Sequence, residues 1–140
     1  MGRTQGKKSA GPSTTVAVSL RLSPRVHWGL TLLARKRHTT ITAVIEWAVN
    51  KAISDEVDGL VVKRGKETIN VLEQTWDVDP ADRFVKLALH HPALLRFEEE
   101  QMWKGIIETP QFWVSEGKPN YKAIRERWPA IEAHYLGGKE

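Results

Sequence analysis

From Val16 to Leu22 apolar and polar side chains alternate, so that Val16, Val18, Leu20 and Leu22 fall on one face of an extended strand and Ala17, Ser19 and Arg21 on the other. The period changes at Ser23-Pro24, a favourable helix N-cap followed by a favourable first helical residue. Val26, Leu30, Leu33 and Ala34 then recur at helical spacing through about Lys36, and Arg35, Lys36 and Arg37 gather where cations complement the helix dipole. His38-Thr39-Thr40 interrupts this pattern. Thr40 is placed to cap a second helix with the stripe Ile41, Val44, Ile45, Ala48, Val49, Ala52 and Ile53, ending near Ser54 to Asp58. The first 55 residues thus read strand, helix, short turn, helix.

A unit of this size cannot hide two amphipathic helices and half a sheet by itself. A lone strand also leaves its backbone N–H and C=O groups unpaired, and the following thirty residues offer no second strand. Two copies laying their strands antiparallel across a two-fold axis would supply every partner, with Val16, Val18, Leu20 and Leu22 capping the helices as a shared dimer core. The sequence therefore predicts an obligate homodimer.

Beyond Leu60 the pattern is mainly helical. Ile69, Leu72 and Trp76 share helical spacing, and Asp79-Pro80 opens a stronger helix through Phe84, Leu87 and Ala88, which Pro92 interrupts. Leu94, Leu95, Phe97, Met102, Trp103, Ile106 and Ile107 lead to Thr109-Pro110, and a last helix runs through Tyr121, Ile124, Trp128, Ile131 and Tyr135 with a kink expected at Pro129. "LVV" at 60–62 is the one short strand candidate. The expected organisation is a disordered basic arm over 1–13, a strand-helix-helix dimerisation domain over 14–58 and a helical C-terminal domain over 60–140.

The formal net charge of +4 is unevenly spread: residues 1–51 carry nine Lys or Arg against Glu46 alone, a net +8, and the remainder is net −4. A basic third before a mildly acidic remainder points to a polyanionic partner for the first part. The absence of Cys excludes a disulfide framework and thiolate chemistry. No apolar run is long enough for a membrane span or signal peptide, so a cytoplasmic location is expected.

The segments "VAVSLRLSPRV", "VHWGLTLLARKRH", "TTIT" and "AVIEWAVNKAI" give residues 14–55 a pattern that resembles the ribbon-helix-helix DNA-binding superfamily of Arc-, MetJ- and CopG-like proteins. The turn departs from it, with His38-Thr39 where many members have Gly and a hydrophobic residue, and Trp28 and Trp47 are bulky for such a core. The resemblance implies a mainly α fold with an N-terminal ribbon-helix-helix, an intertwined dimer whose two-stranded antiparallel intermolecular ribbon enters the major groove of double-stranded DNA. Ala17, Ser19 and Arg21 would then read bases, with Arg21 able to donate two bonds to a guanine edge. It also implies phosphate binding by Thr40, Ile41 and Thr42 at the start of the second helix. Arg25 and Lys36, together with Arg35, Arg37, Lys7 and Lys8, are further backbone-contact candidates.

The C-terminal half carries no recognised family pattern. His90 and His91 are adjacent, diverge by about 100° on a helix and lack metal-ligand spacing, so no metal or other cofactor is expected. No nucleophile–base pair or phosphate loop points to an enzyme. The expected function is that of a homodimeric, sequence-specific transcriptional repressor, with higher-order association on DNA and a protein partner as roles for the C-terminal domain. The alternatives are the antitoxin of a toxin–antitoxin pair and an accessory DNA-binding protein in plasmid transfer or partition.

Overall fold

The computed structural model describes residues 15–137; the expected arm over 1–13, with Lys7 and Lys8, lies outside the described residues. Six α-helices dominate, and the described strands follow the first two helices. This corrects the expected N-terminal ribbon-helix-helix and its intermolecular ribbon: residues 15–23 carry no strand. The physical reason is that alternation sorts side chains onto two faces but does not supply a hydrogen-bonding neighbour, and nothing described in this chain pairs with the segment.

Helix α1, Pro24–Lys36, starts where the sequence indicates. Ser23 Oγ accepts the Val26 N–H at 3.3 Å and Pro24 occupies the first turn. At its end the His38 N–H donates to Arg35 O and the Thr39 N–H to Ala34 O at 3.0 Å, which closes a Schellman turn with His38 at φ 51°. Helix α2, Ile41–Ile53, follows at once, with the Ala43 N–H donating to Thr40 Oγ1 at 3.1 Å. Two compact units divide inside this helix, one ending at Ala48 and the other beginning at Val49. In the first, Ala34 and Val44 are the only described residues that are buried.

In the second unit, Asp55 Oδ1 accepts the Val57 and Asp58 N–H groups, each at 2.8 Å, which reverses the chain after α2. A Cβ on Gly59 would collide with the carbonyl oxygens of Ala52, Asp55 and Ile53, so this return requires glycine. Strands β1 (Val61–Arg64) and β2 (Glu67–Asn70) pair antiparallel, with Val62 opposite Ile69, around Gly65 at φ 62°. Asn70 caps the short α3, Val71–Thr75, by accepting the Glu73 N–H. The same device recurs near the end of the chain. Strands β3 (Trp113–Ser115) and β4 (Lys118–Pro119) turn at Gly117, φ 75°, and Asn120 caps the helix that follows.

Between the hairpins lie α4 (Pro80–His90) and α5 (Phe97–Ile107); α6 (Tyr121–Tyr135) closes the unit and contains Pro129. Phe84, Val85, Ala88, Met102, Ile106 and Ile124 form the centre of one apolar core. Phe84 meets Trp128 with ring centroids 5.5 Å apart and Trp103 edge-on at 6.1 Å. The Trp113 indole N–H donates to Ile106 O at 2.9 Å. Around this core Arg125 donates to both Asp82 oxygens and Lys86 pairs with Asp77 at 2.9 Å. The Asp79 N–H and the Lys86 ammonium hold the Asp77 carboxyl below its usual range, whereas burial pushes Asp82 up despite the Arg125 guanidinium beside it.

Candidate nucleic-acid interface

The basic residues singled out in the first unit all reach solvent. Arg21, Arg25, Arg35, Lys36 and Arg37 are exposed, and none has an ion-pair partner among the described residues. Glu46 is the one acid in the described part of this unit, residues 15–48. An uncompensated positive field of this kind raises the local concentration of a polyanion.

Ala17, Ser19 and Arg21 lie in the segment before α1 and are exposed. The four apolar residues that alternate with them are also exposed, from 87% at Val16 to 42% at Leu22. Both faces of the segment are therefore open in the single chain. Val26, Trp28, Leu32 and Leu33 add exposed apolar surface on α1, and Trp47 does so on α2. These large apolar groups are exposed on a unit whose described buried residues are Ala34 and Val44 alone.

Thr40, Ile41 and Thr42 stand at the start of α2. Thr40 Oγ1 is occupied by the Ala43 N–H, and its carbonyl accepts the Val44 N–H at 3.1 Å. The first helical N–H groups, those of Ile41 and Thr42, have no intrahelical acceptor by the geometry of any α-helix. Arg25 stands in the first turn of α1 and Lys36 in its last, which puts these two cations at opposite ends of one 13-residue helix.

Two contacts were missed in the sequence. The Arg35 guanidinium lies 5.3 Å from the centre of the Trp28 ring, and that of Arg37 lies 4.2 Å from Trp47. Trp28 and Arg35 are seven residues apart, two helical turns, and that spacing was the available signal. The stacks orient both guanidinium groups while leaving their N–H edges open to acceptors. They also give Trp28 and Trp47 a place outside the core.

Among the described residues no group of three His, Cys, Asp or Glu is placed to hold a metal ion. None of the described helices is long and apolar enough to cross a membrane. In comparisons with known proteins, no family model, no curated protein and no solved structure matches the chain.

Proposed function

We propose that the chain is a homodimeric, sequence-specific double-stranded-DNA-binding protein, acting most simply as a transcriptional repressor that occludes its site. The observation that carries this reading is the set of five exposed cations without ion-pair partners, Arg21, Arg25, Arg35, Lys36 and Arg37, on a unit with one described acid. The sequence likeness of residues 14–55 to ribbon-helix-helix proteins points to the same function without carrying their fold. In this reading the segment bearing Ala17, Ser19 and Arg21 enters the major groove, and Arg25, Lys36 and the start of α2 hold the phosphate backbone. A second copy covers Val16, Val18, Leu20 and Leu22, whose exposure in the single chain makes a self-associating surface.

Selection from random duplexes, followed by titration of the preferred site over a range of salt, tests the reading. Arg21→Ala is expected to weaken the preferred site by about 1–3 kcal/mol and random DNA much less, since a bidentate base contact carries sequence information. Lys36→Ala should weaken all sequences alike and reduce the logarithmic salt slope by about one. Failure of the full chain to prefer any duplex over random DNA overturns the proposal.

A further inference from the structure

His90 and His91, which the DNA reading leaves without a role, border a cavity of about 370 Å3 within the second unit. Leu60, Val62, Val71 and Leu94 give it an apolar lining. Arg64 completes the lining on the hairpin side. Val62 and Arg64 are two residues apart in β1 and so share a strand face. On the opposite face Lys63 pairs with Glu56 at 3.0 Å. Arg64 has no ion pair among the described residues, although Glu67 stands across from it in the strand register. No carboxylate lines the cavity.

The imidazoles differ in freedom. His91 is half-buried and its Nε2 is held by Gln74 Oε1 at 2.6 Å, which fixes that ring as part of the wall. Burial, then the charges of His90 and Arg64, hold its protonation below the usual imidazole range. His90 is exposed and its side chain has no hydrogen bond among the described residues. The lining therefore offers one guanidinium and one exposed imidazole, that of His90, beside an aliphatic surface and without a carboxylate.

We propose that this cavity binds a small carboxylate with an apolar body, the carboxylate meeting Arg64 and His90 and the body lying on Leu60, Val62, Val71 and Leu94. Few polar groups converging on an apolar cavity is the usual composition of a small-molecule site, and a guanidinium matches a carboxylate through two parallel N–H bonds. This inference concerns the second unit and does not depend on DNA binding.

Calorimetric titration of the full chain with 3-phenylpropionate, and with its uncharged amide as the matched control, tests it. Side-chain NMR of the histidines reports where the probe binds. The carboxylate is expected to bind saturably, to shift the His90 and His91 resonances, and to bind at least about tenfold more tightly than the amide. Arg64→Gln should reduce carboxylate affinity about tenfold and leave amide affinity unchanged. Arg64 is exposed in a hairpin, and circular dichroism of the variant verifies that the chain is folded. Equal binding of acid and amide, saturable binding that leaves both histidines unshifted, no saturation up to the solubility limit, or an unaltered carboxylate affinity in folded Arg64→Gln would each overturn the proposal.

Discussion

His38 holds a backbone conformation that an L side chain adopts only at a cost, φ 51°, because the Schellman turn after α1 needs a left-handed residue there. Glycine takes that conformation without the Cβ penalty, although it loses more freedom on folding. His38→Gly is therefore expected to stabilise the chain by up to about 1 kcal/mol, read as a higher urea midpoint at unchanged slope. A lower midpoint would show that the imidazole makes a compensating contact. At this scale the sequence was partly legible. His38-Thr39 was recognised as the break in the helical pattern, and its departure from the more common Gly corresponds to the strained position. Trp28 and Trp47 looked oversized for a small core, and the reason is that both carry a guanidinium on an exposed ring. Bulk alone could not reveal this, since aromatic area suits a core and a cation equally well.

Helices announced themselves through their ends. Asp79 accepts the Ala81 and Asp82 N–H groups, at 2.8 and 3.3 Å, and Pro80 follows it, so the start of α4 was legible as Asp-Pro. Asp79→Ala should cost about 1 kcal/mol in thermal or urea unfolding, whereas Asp79→Ser should recover most of it. An unchanged midpoint in the alanine variant would mean that the cap contributes nothing net. The hairpins were harder to see. "LVV" at 60–62 marks only part of β1, the spacing of Ile69 with Leu72 and Trp76 predicts a helix although Ile69 lies in β2, and β3 and β4 leave no period in the sequence. Strands of two to four residues are too short to display a period, and their signal was Gly65 and Gly117 followed by Asn70 and Asn120. The clearest period of two, at 16–22, belongs to a segment without a strand. Periodicity records which side chains share a face; pairing depends on what stands beside the backbone.

For the molecule as a whole, the lowered His91, Asp55 and Asp77 each withdraw stability as pH falls. The unfolded imidazole takes its proton near about pH 6.5, and folded His91 takes it only at lower pH. Below the unfolded value the unfolded chain binds more protons, so the His91 contribution present above it is lost as pH falls through the folded value. Asp77 acts in the same direction further down: its contribution is present above the unfolded carboxyl value, near about 3.9, and disappears as pH falls through its depressed folded value. Asp82, raised by burial, opposes this because the folded chain binds its proton more tightly. His91→Gln is expected to flatten stability between about pH 7 and 5, and Asp77→Asn to flatten it below about pH 4, in unfolding curves taken across that range. Identical pH profiles in variant and parent would remove either group from the account. Association has its own test in Leu20→Asp. Leu20 is 58% exposed in the single chain, so the substitution should leave a monomer folded but abolish a dimer that buries this position. Sedimentation showing a dimer for both proteins would place the association surface elsewhere.

The hairpin followed by an Asn-capped helix, used twice, has a kinetic consequence. Residues 61–90, in which α3 packs on α4, and residues 113–135 are each built from neighbours in sequence, and such pieces assemble on the timescale of local chain motion. What joins them is α6 against α4, marked by the Arg125–Asp82 pair across 43 residues and by Trp128 on Phe84. Closing that loop loses chain entropy before the core returns any of it. The slow event in forming the second unit is thus the meeting of two finished segments rather than the making of either.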